Sequence, residues 1–299
     1  MNHPNPTQNT LFDLTHLSTL NILGEKASEF LQGQISCDVQ EVNASNMRQG
    51  ALCNLKGRVL ALPDVLAWHG LKLILPKNLL DKTQKSLTNT AMLSRVTLEP
   101  ATNYHALGFY LHDANQQLPF EGTWPSEKGG VLTQDNICAY HLGDQFYIML
   151  VDASMLEMIK IPFIQQDAFQ KADDWHALRL QHGEIQIHPE SRGLFLPHRL
   201  GLQNTGYLNF DKGCYKGQEI IARTHYRAKI KHGMKIFTIE TTETLKPGLR
   251  IMTEDGAREV GELVDFCSIG NNQYIIAASL LLEHPNTVRF EEHEQTFKL

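Results

Sequence analysis

The sequence predicts an α+β fold for most of the chain and a small antiparallel β-barrel at its C-terminal end. Three observations carry that expectation. Strand-like runs alternate with single amphipathic helices without strict βαβ order, which points to mixed or antiparallel sheets. From about His232 the texture changes to short strands with turn signals every 8–12 residues or so, the pattern of a small barrel. The 299 residues, 42% of them hydrophobic, are enough to build two or three cores.

The elements follow in order. The polar start, MNHPNPTQNT, is expected to be disordered over 1–10, and it lacks the basic and apolar regions of a signal peptide. HLSTLNILG (16–24) predicts a strand ending at Gly24. GEKASEFLQGQIS predicts a helix, because Ala27, Phe30, Leu31 and Ile35 recur at helical spacing. ALCNLKGRVLALPDVLAWHG and LKLILP predict strand pieces with a Lys-Gly turn at 56–57. A helix over 78–93 and a strand at RVTLEP close this unit. A second round follows in YHALGFYLH, GGVLTQDNICAYHLG, QFYIMLV and SMLEMIKI. HALRLQHGEI (176–185) predicts a helix ending at Gly183. The barrel strands are KIFTIET, LRIMT, REVGELVDFCS, QYIIAASL and TVRFEE, punctuated by KPG, EDG and GNN turns. The predicted division is therefore 1–10, 11–231 and 232–299.

Composition excludes several classes of function. A net charge of −6 argues against a dedicated nucleic-acid binder. The five cysteines (37, 53, 138, 214 and 267) are odd in number and scattered, without a CxxC pair, which implies reduced thiols in a cytosolic compartment. The apolar runs LKLILP and YIMLV have strand length, well short of the roughly 18 residues of a membrane span. GAREVGEL (256–263) imitates a phosphate-binding loop until Glu262 stands where the lysine is required, and GxGxxG, HExxH and GxSxG do not occur. His176, His182, His188 and His198 are not spaced as ligand pairs on one helix face, so no metal site is expected.

One segment departs from its surroundings. Residues 211–232 carry six basic side chains (Lys212, Lys216, Arg223, Arg227, Lys229, Lys231) against Asp211 and Glu219, a local +4 in an acidic chain. Such a patch suits a carboxylate, a phosphate or a nucleic-acid backbone, and equally a solvated connector. Within it lies DKGCYKGQEIIAR. Lys212, Lys216 and the start of a helix near Gln218 favour a thiolate at Cys214. Gly213 and Gly217 allow positive φ and close approach of a ligand, while Glu219 and Arg223 lie one helical turn apart.

HLSTLNILGEKASEFLQGQISCDV, CNLKGRV, WHALRLQHGEI, FLPHRLGL and above all KGCYKGQEIIAR resemble the YgfZ-type folate-binding proteins, relatives of the glycine-cleavage aminomethyltransferase (T-protein). The likeness runs in order from residue 16 to about 280. It implies a three-domain ring, two α+β folate-binding domains plus a C-terminal antiparallel β-barrel, around a channel for tetrahydrofolate or a derivative. It implies a cytosolic, monomeric accessory factor for iron–sulfur enzymes, among them tRNA-thiolating ones, that affects tRNA modification without binding nucleic acid or membrane. It makes Cys214 the functional thiol. It places folate against Trp175, Gln181, Lys212, Tyr215, Gly217, Gln218, Glu219, Arg223 and Arg227, with the tail carboxylates near Lys212, Arg223 or Arg227.

The chain also departs from the family pattern. The Asp-Asp pair that follows CNxxG in aminomethyltransferases is matched by Ala61 and Leu62, whose side chains neither accept a proton nor orient an amine. The glutamate of the LRLEAG segment is Gln181, which lacks a charge to grip a donor-rich pterin edge, and a family tryptophan near the first strand is Leu17. The leading expectation is the accessory factor. The alternatives are a folate-dependent one-carbon or aminomethyl transferase, and an RNA-binding module using the basic face of 212–231.

Overall fold

Three large sheets organise the computed structural model, which describes residues 5–116, 118–120 and 122–299. The first is antiparallel, in the spatial order Arg48–Gln49, Asp64–Ala67, Leu71–Pro76, Leu17–Leu23 and Thr97–Ala101. The helix Lys77–Leu93 covers it with Leu79, Thr83, Leu87 and Ala91, a stripe recurring every fourth residue. LKLILP is apolar apart from the buried Lys72 because both faces of its strand are covered. Leu73 and Leu75 enter the core that holds Leu79 and Leu87, while Ile74 enters a core shared with the second sheet.

The second sheet runs Val131–Thr133, Ile137–Gly143, Phe146–Asp152, Tyr104–Tyr110, Thr10–Asp13 and Phe169–Gln170, with only the last pair parallel. Period-two alternation divides its residues. Tyr147, Met149 and Val151 meet the helix Leu156–Gln165 through Ile159 and Phe163, whereas Ile148 and Leu150 face the first sheet. The chain thus lends its first strand, Thr10–Asp13, to the second sheet before its next strand enters the first. The two α+β units are intertwined.

That first strand corrects the expected disorder of 1–10. Asn9 and Thr10 are 5% and 1% exposed, and Asn9 Oδ1 accepts the N–H groups of His112 and Asp113 at 2.8 and 2.9 Å. Polar residues at a terminus look solvated in sequence, but here their hydrogen-bond partners lie about a hundred residues away. Residues 1–4 lie outside the described residues.

The C-terminal module is a curled antiparallel sheet of six strands: His232–Glu240, Gln273–Leu281, Glu259–Gly270, Arg250–Thr253, Thr287–Phe290 and Thr296–Lys298. Its turns use positive φ at Gly256 and at Gly270, Asn271 and Asn272. The last strand was not legible in the sequence. One face of the sheet forms its own core around Ile251, Leu263, Ile276 and Phe290. On the other, Val264, Cys267, Ile275 and Ala277 join the core of the first unit. The helix Ala172–Gln181 packs on that second face, and Arg199 fastens the sheet through Glu262 at 2.6 Å and Ser279 at 3.1 Å. No helix among the described residues is long and apolar enough to cross a membrane.

Candidate functional site

The expected site residues divide between two places. Trp175 belongs to the first, a cavity between the two α+β units. Its walls include Leu17, Leu62, Ile74, Leu142, Ile148, Ile185 and Ile187. The Trp175 ring is fixed by Phe12 and Phe146, with centroids at 5.2 and 5.4 Å. Gly108 makes room for it, since a Cβ there would lie 2.7 Å from the indole. Leu17 and Leu62 line the cavity, whereas Ala61 is sealed into the core.

A polar chain crosses this apolar chamber. Gln49 Nε2 donates to Asp64 Oδ1 at 3.1 Å and to the Tyr207 hydroxyl at 2.9 Å. The Tyr207 hydroxyl donates to Glu184 Oε2 at 3.2 Å, and Tyr140 donates to Asp64 Oδ2 at 3.0 Å. Arg179, buried above the rings of Phe146 and Trp175, lies 3.6 Å from Glu184. Burial pushes the Asp64 carboxyl up to about 6, against the opposing hydrogen bonds from Gln49 and Tyr140 and the charge of Arg179. Two buried polar atoms on the cavity residues have no protein partner, Gln49 Oε1 and His16 Nδ1. Gln49 Oε1 is an acceptor and His16 Nδ1 donates or accepts according to its tautomer, and such orphaned atoms in an apolar-walled chamber are what a polar ligand satisfies.

Sequence reasoning missed Asp64 and Glu184. Asp64 lines the same cavity as the apolar Leu62. It was visible as the single charge in the apolar run VLALPDVLAW. Gln181 is half-buried at the end of its helix and does not line the cavity. Glu184, just past the positive-φ Gly183, supplies the carboxylate instead.

The second place is the loop that leads into the helix Gln218–Arg227. Here the structure corrects the role expected of Lys212. Its ammonium is buried and donates to three backbone carbonyls, those of Gln32, Ile35 and Cys37, at 2.8, 2.7 and 2.8 Å. Three acceptors require all three N–H groups, so the lysine stays an ammonium at neutral pH although burial lowers it to about 8. It holds the loop against the end of the first helix, Ala27–Gln32, and has no donor left for a ligand. The loop is tied to the same stretch by Asn209 N to Ser36 O at 3.0 Å and Lys216 N to Gly33 O at 3.1 Å.

Gly217 is also structural. It has φ +85°, and a Cβ there would come within 2.5 Å of Asn54 O. The CNLKG turn, closed by Asn54 Oδ1 accepting from Lys56 and Arg58, therefore packs directly on the helix start. Gly213 needs no positive φ and faces open space. Tyr215 is buried beneath the Lys212 ammonium, 5.1 Å from its ring centre. Three sequence segments, LQGQISCDV, CNLKGRV and KGCYKGQE, thus meet in one place, and their product is a rigid loop presenting Cys214. That thiol is exposed, and the other four cysteines are buried.

Gln218 is half-buried, and Glu219, Arg223 and Arg227 are exposed on the following helix. None of Cys214, Tyr215, Gly217, Gln218, Glu219, Arg223 or Arg227 lines the cavity at Trp175. The link between the two places is Gln49, which also lines an open cleft with Cys37, Arg48, Lys128, Asn209, Phe210 and Asp211, beside the Cys214 loop.

No family model matches the chain. Several curated relatives are named tRNA-modifying protein YgfZ. The protein from Colwellia psychrerythraea is 26% identical over 232 residues, 75% of this chain and 70% of the relative. That from Hamiltonella defensa is 28% identical over 260 residues, 84% and 77% of the two chains. That from Vibrio atlanticus is 24% identical over 272 residues, 88% and 82%. Among solved structures, the glycine cleavage system aminomethyltransferase T from Bartonella henselae matches 97% of this chain and 84% of its own, with TM-score 0.73 and 12% identity. At that identity the match establishes a shared fold.

Proposed function

We propose, taking the chain as a relative of the YgfZ-type proteins with the aminomethyltransferase fold, that it binds a reduced folate in the cavity at Trp175 and acts as an accessory factor for iron–sulfur enzymes. The observation that carries the folate reading is the pairing of an indole wall with two carboxylates and one acceptor, Gln49 Oε1, that lacks a donor. Asp64, Glu184 and the unpaired Gln49 Oε1 suit the amino and ring N–H groups of a pterin, and Trp175 with the aliphatic wall suits its flat face. The cations nearest for the tail carboxylates are Arg48 and Lys128 in the adjoining cleft, which must exchange their pairs with Glu41 and Glu184 to take that role in place of Lys212, Arg223 and Arg227. A bound folate would supply a one-carbon carrier; the chain supplies orientation and a carboxyl group able to hold or release a proton near neutrality.

Cys214 lies outside this chamber on an anchored loop, so its role is towards a partner protein. One thiol supplies a single cluster ligand, which fits a transient encounter with a client enzyme, such as a tRNA-thiolating one, in the cytosol. The test is titration of tetrahydrofolate into the wild type, Trp175→Ala and Glu184→Gln, together with complementation of iron–sulfur enzyme activity by Cys214→Ala and Cys214→Ser. Folate binding that survives both cavity substitutions refutes the cavity. Full complementation by both thiol variants refutes the thiol.

Asp64 favours a second reading, one-carbon transfer, because it returns a buried carboxyl group to a site that the residues at 61 and 62 had left apolar. Incubation with aminomethyl-lipoate and tetrahydrofolate decides it: methylene-tetrahydrofolate formed by the wild type and not by Asp64→Asn supports transfer, and no product sinks it.

A further inference from the structure

The strand Glu259–Gly270 carries a β-bulge between Leu263 and Asp265. Without the bulge Asp265 would face the C-terminal core, as Leu263 does. With it, the carboxylate turns to the opposite face, towards the helix Ala172–Gln181 and the segment 184–188. There it is wholly buried, and two imidazoles converge on it. His176 Nε2 lies 2.9 Å from Oδ2 and His188 Nε2 lies 2.6 Å from Oδ1. Each oxygen also accepts one backbone N–H, from Gln186 at 2.7 Å and Phe266 at 2.8 Å. All three donor atoms lie within 4.8 Å of one another, and the side chains of His176 and His188 keep 12% and 23% exposure, a route for an ion and its water.

We propose that His176, His188 and Asp265 form a binding site for a divalent transition ion of the zinc class. Two imidazoles and one carboxylate make a nitrogen-rich set that selects such ions over magnesium or calcium. Tetrahedral ligand bonds of roughly 2.0–2.2 Å require donor atoms about 3.4 Å apart, so the two histidine–carboxylate pairs must spread from 2.9 and 2.6 Å to admit an ion in place of the bridging hydrogens. The backbone N–H groups from Gln186 and Phe266 hold the carboxylate in position, as outer partners do in metal sites. The three ligands come from a helix, a loop and the C-terminal sheet, so the ion staples that sheet to the segment whose residues Gln186 and Ile187 form a wall of the Trp175 cavity. The site is independent of the folate reading.

The test uses the full chain, stripped of metal with a chelator and titrated with Co²⁺ and Zn²⁺. The expected result is one Co²⁺ per chain with a visible absorption band, a thermal midpoint raised by roughly 5 °C at saturating Zn²⁺, and no effect of Mg²⁺. His188→Ala should weaken Co²⁺ binding at least about ten-fold, whereas His182→Ala, outside the cluster, leaves it unchanged. No stoichiometric Co²⁺ on the folded wild type, or equal binding by His188→Ala, overturns the proposal and leaves a hydrogen-bonded clamp. If His188→Ala does not fold, the wild-type stoichiometry and the Zn²⁺-dependent midpoint decide the matter.

Discussion

Replacing Asp64 with asparagine isolates what it costs to hold a carboxyl group inside the cavity. In the folded protein this group titrates at about 6, against an ordinary 3.8, because it is buried. A raised pKa means that the folded state binds the proton more tightly than the unfolded one. The contribution of Asp64 to stability is therefore fully present below about 3.8 and is lost as pH rises to about 6. The gap of about two pKa units corresponds to ~3 kcal/mol of destabilisation at pH 8 and ~1 kcal/mol at pH 4.5. Asparagine stays neutral and still accepts from Gln49 Nε2, but it disturbs the Tyr140 bond at the other oxygen, worth ~1 kcal/mol. Asp64→Asn should then be more stable than the wild type by ~2 kcal/mol at pH 8 and close to it at pH 4.5. Urea unfolding at the two pH values measures the difference. A gap that does not change with pH, or a variant less stable at pH 8, would refute the argument that burial sets this group. Stabilisation together with loss of folate binding would mark Asp64 as held for its function.

Three further outcomes follow from the loop at Cys214. Lys212→Met strands three buried carbonyls and should lower unfolding free energy by ~3 kcal/mol or more in denaturant titration; a change below ~1 kcal/mol would show that water replaces the ammonium. Gly217→Ala must place a methyl group against Asn54 O at φ +85°, so a loss of ~1–3 kcal/mol is expected, and an unchanged midpoint would contradict the close packing of the CNLKG turn. Cys214→Ser should leave stability within ~0.5 kcal/mol of the wild type. It should also abolish the single fast-reacting thiol in native-state titration, because the other cysteines are buried; a fast thiol that persists would place the exposed cysteine elsewhere.

Little of the cavity was legible. Trp175 came from the family resemblance, and its ring lines the cavity, whereas the residues expected beside it from 214 to 227 do not. Lys212 was misjudged because a lysine between glycines looks like a solvated cation. Its three acceptors lie about 175 to 180 residues earlier in the chain, where no local pattern announces them. The same distance hid the charge balance of 211–232: with Lys212 withdrawn into the interior, the exposed basic face is smaller than the count of residues suggests. His176 and His188 failed a test for ligands on one helix because they converge from two different elements.

The amino-acid sequence by itself determined most of the helices and strands and the change to short antiparallel strands near the C-terminal end. Helical and strand periodicities, and the glycines and asparagines that accept positive φ, act over a few residues. Only the tertiary structure decided which side chains face one another. It placed Asp64 and Glu184 in the cavity at Trp175, buried the Lys212 ammonium among carbonyls, and turned Asp265 across its sheet through one extra residue. Those outcomes depend on contacts between distant segments and on the low-dielectric surroundings they create. These shift a carboxyl group or consume an ammonium in ways that no short window of sequence contains.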